Sequence, residues 1–380
     1  MTGELSPPIY FMKVVFVSYN LQSGYSSPEL WLERIKTFAA LMESLACYCE
    51  VSYVKQFGYN GVLSRNNVDY IFLRSNKRKP YFPRQVNDAV KELKPDIVIV
   101  SGIRSPLQII QLRLRLGKNT IIIGRHHADR PPTGIRRILQ RWADKCVNAY
   151  LFTSIGNAQE WFDARIIPRD KTIYELMEAS TGLTRLDRPQ SLENTGMNGD
   201  PNFLWVGRLN ATKDPLTVLE GFEKYLETND AAKLYMIFDV EELLPEVNEI
   251  IRRSAALSKA VILKGKVNNT ELAAWYSAAD FYISGSHSEG GSYALLEAMA
   301  CGCIPIVTSI PATLKMTENG KYAVIFDPGN ADDLAKKLFR LSSIDKGALS
   351  SSVENYFKKE LSNSSIAEKL FNYCKKLFAK

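Results

Sequence analysis

Two glutamates eight positions apart, Glu289 and Glu297, frame the segment Glu289-Gly290-Gly291-Ser292-Tyr293-Ala294-Leu295-Leu296-Glu297. The first stands before a small, polar loop; the second rides on an apolar run that continues through Ala298, Met299 and Ala300. Just upstream, Phe281-Tyr282-Ile283-Ser284 reads as a strand, so the loop leaves a strand's carboxyl end and opens a helix. At such a mouth the unpaired N–H groups and the positive end of the helix dipole favour an anion such as a diphosphate. A carboxylate about two turns further in can accept hydrogen bonds from a pair of hydroxyls. One at the mouth lies beside whatever the phosphate carries. The arrangement suits a sugar nucleotide, although Ser292 also has a purely structural role open to it as helix cap.

The segment resembles the E-x7-E motif of retaining glycosyltransferases with the two-domain GT-B architecture, most closely family 4. Trp205-Val206-Gly207-Arg208-Leu209-Asn210-Ala211-Thr212-Lys213-Asp214 is similar to that family's G-R-L-x-x-x-K segment, and Phe326-Asp327-Pro328-Gly329-Asn330 supplies a third match in order. Short patterns recur by chance, but three in register within residues 203–342 do not do so easily. The resemblance implies that Arg208 and Lys213 converge on the donor pyrophosphate and neutralise charge growing on the leaving oxygen. It implies that Glu297 binds the nucleotide ribose and Glu289 the donor sugar. The loop Gly290-Gly291 and the backbone amides of Gly291, Ser292, Tyr293 and Ala294 would receive the phosphates. Gly265 and Val267, after a strand, fall where relatives hold the base with backbone groups. Gly291 replaces the family's usual aromatic residue and Ser292 its second glycine, which puts the sugar-binding wall in doubt. Phe238-Asp239-Val240 likewise stands where relatives have a glycine-rich turn.

In the amino-terminal half, the loop after the first strand carries Ser23 and Gly24, which by resemblance border the cleft. Arg125-His126-His127-Ala128-Asp129 follows the fifth strand. A histidine near the reacting sugar is common in the family; the match does not distinguish His126 from His127, and a packed or capping histidine is the other reading of either.

The elements that must position these residues follow from length and pattern. A chain of 380 residues with 46% hydrophobic and 23% charged content is long enough for two domains with real cores. Short apolar, β-branched runs alternate with helical patterns at 14–18, 51–54, 70–74, 97–101, 120–124 and 150–154, and again at 203–207, 234–239, 261–265, 281–285, 305–309 and 323–326. Strands apolar on both faces and separated by helices predict an α/β protein with two doubly wound parallel sheets, which matches GT-B. The expected division is a Rossmann-like acceptor domain over 1–186, a Pro-, Gly- and Asn-rich linker over 187–202 and a Rossmann-like nucleotide-sugar domain over 203–360. A terminal helix over 361–380 completes it; in the family such helices cross back to the first domain.

Charge is divided unevenly: residues 1–190 carry 27 Lys and Arg against 17 Asp and Glu, whereas 191–380 carry 21 against 24. No nucleic-acid motif accompanies the basic half, so a lipid-linked or other phosphorylated acceptor, or an anionic membrane surface, fits it better, with a merely solvated face as the plain alternative. The basic helix over 135–142 reads as an outer helix with its apolar stripe in the core, membrane contact being its other reading. No apolar run reaches the roughly 18 residues that span a bilayer, and Met1 to Pro8 lacks the features of a secretory signal. The six cysteines read as buried, reduced thiols of a cytoplasmic protein, and three histidines without ligand spacing predict no protein-built metal site. The expectation is a metal-independent retaining glycosyltransferase without a cofactor. It would move a sugar from a nucleoside-diphosphate sugar to a glycan or lipid-linked acceptor in the cytoplasm, with peripheral contact at the inner face of the membrane as the further alternative. A sugar-nucleotide epimerase or phosphorylase of the same fold, or a non-catalytic bilobed binding protein, are the alternatives.

Overall fold

A computed structural model describes residues 12–20, 25, 27–58, 60–74, 82–127, 129–289 and 291–379. The chain divides into two units, one ending at Ser180 and resuming at Asn363, the other covering Thr181–Ser362. In the first unit the strands are β1 (Lys13–Ser18), β2 (Glu50–Phe57), β3 (Gly61–Arg65), β4 (Val68–Arg74), β5 (Ile97–Ser101), β6 (Ile121–Arg125), β7 (Ala149–Phe152) and β8 (Thr172–Glu175). They form one sheet in the order β3-β4-β2-β1-β5-β6-β7-β8, parallel except where β3 meets β4. The apolar runs are continuous because both faces are covered. Along β1, Phe16 enters one core with Tyr53 and Ile99, and Val15 and Val17 enter the other with Val98 and Val100.

Two strands are missing from the sequence reading. β3 alternates between exposed and half-buried residues at the sheet edge, so it has no continuous apolar run. Its hairpin to β4 turns on Asn66 and Asn67, both at positive φ (48° and 62°), the backbone that a two-residue type I′ loop needs. The short β8 is only half-buried throughout.

The helix Gly134–Asp144 corrects a further expectation. It turns Gln140, Ala143 and Asp144 inward, while Ile135, Ile138 and Trp142 face solvent. The inward face is held by polar ties, with Gln140 Nε2 donating to the Ile103 carbonyl at 2.8 Å and Tyr150 Oη donating to Asp144 Oδ1 at 3.0 Å. The terminal helix Asn363–Phe378 lies against Lys36–Leu45 and adds Ile366, Ala367, Leu370 and Cys374 to the first core. All six thiols are free; Cys47 is exposed and Cys146 half-buried, so only four of the six are buried as expected.

The second unit contains β9 (Asn202–Gly207), β10 (Lys233–Phe238), β11 (Val261–Gly265), β12 (Phe281–Ser284), β13 (Ile304–Thr308) and β14 (Val324–Phe326), all parallel, in the order β11-β10-β9-β12-β13-β14. Residues 187–202, expected as a linker, contain the helix Arg188–Thr195, which packs on the helix Leu272–Ala278. Asp187 caps it by accepting from the Gln190 N–H at 3.1 Å, and Gly196 ends it at φ 69°. Its buried residues are Ser191 and Thr195, which leaves no apolar periodicity to read. The crossings between units accordingly fall at 180/181 and 362/363. Among the described residues no helix is long and apolar enough to cross a membrane.

Candidate active site

The strand order of the second unit reverses direction between β9 and β12, and in open parallel sheets the crevice outside the carboxyl ends at such a reversal is where ligands sit. β9 and β12 pair only at Phe203–Phe281 and Leu204–Tyr282, so their carboxyl ends are free to part. Arg208 follows β9 and is exposed; among the described residues no carboxylate pairs with it. The turn after it folds back through the Asn210 N–H to the Arg208 carbonyl at 2.8 Å, then through the Lys213 N–H to Asn210. This brings Lys213 across to β12, where its Nζ forms an ion pair with Glu289 Oε1. The two side chains are 17% and 9% exposed, so the pair is largely shielded from water.

Glu289 is held from a second side. Ser286 Oγ donates to the same Oε1 at 2.8 Å, Ser286 exchanges a 3.1 Å hydrogen bond with Ser284, and Thr308 Oγ1 donates to the Ser286 carbonyl at 2.5 Å. A Cβ on Gly285 would stand 2.7 Å from the Asp214 carbonyl oxygen, so only glycine lets the β12 end lie against the Lys213 turn. Asp214 itself sits at φ 44°, caps the helix Pro215–Leu226 through the Thr217 N–H at 3.2 Å, and gives its other oxygen to His287 Nε2 at 2.9 Å. Strained backbone of this kind persists where surrounding bonds over-determine it.

Gly290 lies outside the described residues. Gly291 is half-buried, and Ser292 is the N-cap of the helix Tyr293–Ala300, its Oγ accepting from the Leu295 N–H at 3.4 Å. Tyr293 and Ala294 are therefore the first two helical residues, with their N–H groups at the helix mouth. Glu297 is half-buried one turn on, and Tyr276 Oη donates to its Oε2 at 3.1 Å. Burial, with the Glu297 charge adding to it, drives the Tyr276 phenol well above its ordinary value, so it stays protonated and keeps its donor for Glu297. Gly265, at φ 66°, ends β11 beside a register shift opposite β10, and Val267 follows it; both stay at the sheet edge, two strands from β9.

In the first unit the order reverses between β1 and β5. Ser23 and Gly24 lie outside the described residues. Gly102, just past β5, has Asn20 and His127 each 3.8 Å from where a Cβ would be, which places His127 at that reversal. His127 Nδ1 meets Glu178 Oε1 at 3.1 Å. Burial works against the Glu178 charge, but the His127 hydrogen bond and the Arg125 charge outweigh it and lower its pKa. His126 is buried, stacked on Phe152 at 4.5 Å and edge-on to Trp161, with Nε2 at 2.9 Å from the Asp129 carbonyl. Only a protonated Nε2 can make that bond, and burial lowers the pKa of the ring. The two adjacent histidines thus have different surroundings: His126 is in the core and His127 at the partly open edge.

The sequence reading passed over Ser286, Tyr276 and Glu178 and gave Asp214 no role of its own, although these residues orient the ones it singled out. It also passed over a polar row at the carboxyl edge of the first sheet, where Lys55, Ser18, Ser101 and Arg125 are register partners on four adjacent strands. Lys55 is 1% exposed, donates to the Asn20 carbonyl at 2.9 Å and lies 4.6 Å over the Trp31 ring. A lysine and an arginine ending apolar strands were the available signal.

Residues 187–359, less than half of the chain, match the family model described as Glycosyl transferases group 1, and the chain has the GT-B fold of two Rossmann-like units. An alpha-monoglucosyldiacylglycerol synthase of Streptococcus pneumoniae is 26% identical over 200 residues, 46% of this chain and 44% of that protein, so the match spans less than half of the relative. Among solved structures, a glycosyltransferase from Rickettsia africae aligns over 97% of this chain and 99% of its own at a TM-score of 0.73 and 17% identity. Anabaena HepE, solved in complex with UDP, aligns over 96% and 100% at 0.71 and 12%.

Proposed function

We propose that this protein is a metal-independent retaining glycosyltransferase of family 4. It would transfer a sugar from a nucleoside-diphosphate sugar, UDP-linked by analogy with HepE, to a glycan or lipid-linked acceptor. The reading rests on one observation: Lys213 and Ser286 converge on a single oxygen of Glu289, at a strand reversal and before a Ser292-capped helix. There the helix mouth and Arg208 would take the pyrophosphate, Glu297 the ribose and Glu289 the sugar. The bond from the anomeric carbon to the β-phosphate oxygen breaks, and the acceptor oxygen forms its bond on the same face. The acceptor's proton passes to the departing phosphate. Arg208 and Lys213 supply the positive charge that the growing phosphate charge needs, so chelators should leave transfer intact.

Thermal shift with UDP-, GDP- and ADP-sugars identifies the donor, since a ligand of the folded state raises apparent stability. Glu289→Ala should then remove transfer while the nucleotide-induced shift survives. Equal loss of both would defeat the assignment of Glu289 to the sugar rather than the nucleotide.

A further inference from the structure

From Arg130 to Ala143 the chain carries four arginines and no acid, and the structure leaves one face of this stretch exposed. Ile135, Ile138 and Trp142, spaced three and four apart on the helix Gly134–Asp144, are 75%, 50% and 57% exposed, and Leu114 on the adjoining helix Pro106–Leu116 is 79% exposed. Isolated exposed apolar side chains are ordinary, but three along one helix face that should have entered the core are not. Around them, among the described residues, no ion pair joins Arg136, Arg137 or Arg141, and Asp163, next to the carbonyls that Arg137 and Arg141 reach, pairs with Arg169. Arg136 is exposed; Arg137 and Arg141 donate from Nε to the carbonyls of Ala164 and Arg165 at 2.7 Å, neutral acceptors that hold the guanidinium groups in place and leave their charge intact. Of the two acids in residues 101–150, Asp144 is buried against Tyr150 and Lys171.

We infer that this face is a docking surface for an anionic lipid bilayer, with Ile135, Ile138 and Trp142 entering the headgroup boundary and the arginines meeting the lipid phosphates. An interfacial helix has this composition: aliphatic and tryptophan side chains on one side, arginines flanking them. A nucleic-acid backbone would give the isoleucines nothing for leaving water. A second copy joined by a two-fold contact on the same face would set arginines against arginines. The surface is independent of the donor site and needs no acceptor to act.

Of the five tryptophans, Trp31, Trp161, Trp205 and Trp275 are buried, so a neutral aqueous quencher such as acrylamide reads Trp142. The full chain should sediment with phosphatidylcholine vesicles containing phosphatidylglycerol and not with phosphatidylcholine alone. Vesicle binding should shield Trp142 from acrylamide and reverse in high salt. Arg136→Gln should weaken binding about fivefold, and Ile135→Ser with Ile138→Ser by at least about tenfold. Both variants should keep the wild-type melting temperature and UDP response, which shows that they fold. Absence of binding to the anionic vesicles, equal binding to neutral ones, or vesicle binding untouched by these variants would each overturn the inference. So would a vesicle-free dimer in light scattering that shields Trp142. Because vesicle binding is read without donor or acceptor, it succeeds or fails separately from glycosyl transfer.

Discussion

Glu289 carries two bonds on one oxygen, and they differ in kind. The Lys213 pair is ionic and shielded, whereas Ser286 contributes a hydrogen bond to a charged group, usually worth about 1.5–3 kcal/mol. Ser286 touches no expected substrate group; it fixes the carboxylate. Ser286→Ala should therefore lower kcat about tenfold with the nucleotide-induced thermal shift unchanged, and an unchanged kcat would make Ser286 a bystander. Lys55 presents the opposite case, a cation kept where charge is costly. Burial lowers its pKa to about 8 from 10.5. Between those values the unfolded chain holds the proton and the folded one has released it, so stability rises with pH across that window; below about 8 the penalty is fully present. Lys55→Met should stabilise the protein at pH 7 by on the order of 2 kcal/mol, with the gain fading as pH climbs from about 8 to 10.5. Urea titrations at both ends of the window test this, and a variant equally or less stable at pH 7 would refute it.

At the scale of elements, what the sequence discloses depends on what each element buries. β1, β5 and β9 lie under helices on both faces and announce themselves as unbroken apolar runs, whereas β3 and the helix Arg188–Thr195 bury little and leave no pattern. The site follows the same rule. Glu289, Glu297, Arg208 and Lys213 are visible because their spacing along the chain is local. The Ser286 bond depends on how the β12 end sits, and Tyr276 reaches Glu297 from a different helix, which spacing cannot convey. The His126–His127 pair is equivalent in sequence; the Phe152 and Trp161 rings around His126 and the Glu178 carboxylate on His127 separate them. Gly285 joins two such elements. Its missing Cβ lets the β12 end approach the Asp214 carbonyl, and a methyl there would meet backbone at 2.7 Å with no flexible side chain to yield. Gly285→Ala should cost about 1–3 kcal/mol and displace the Lys213 turn, so transfer should fall far more than stability accounts for. Gly58→Ala, with nothing within 4 Å, is the control. Wild-type activity in Gly285→Ala would show that the close approach is not needed.

Across the whole molecule the chain leaves the first unit at Ser180 and returns at Asn363, and these residues are bonded to each other, Asn363 Oδ1 accepting from the Ser180 N–H at 3.0 Å. The second unit is thus a continuous insertion, while the first is completed only by residues that follow that insertion in the chain. Ile366, Leu370 and Cys374 of the terminal helix are at most 1% exposed in the first core, Tyr373 stacks on Tyr174 at 4.2 Å, and Phe371 stacks on Tyr48. Removing that helix exposes several large side chains at about 1.5–3 kcal/mol each, a large part of the margin that holds a domain folded. A chain truncated after Ser362 should therefore lose the first unit's cooperative melting and become protease-sensitive across residues 12–180, while residues 181–362 keep their own transition and their response to nucleotide. Calorimetry with limited proteolysis separates the two. If the truncated chain melts as the full one does, the terminal helix is dispensable and the first unit is complete without it; if both transitions vanish together, the two units fold as one, and the insertion has no stability of its own.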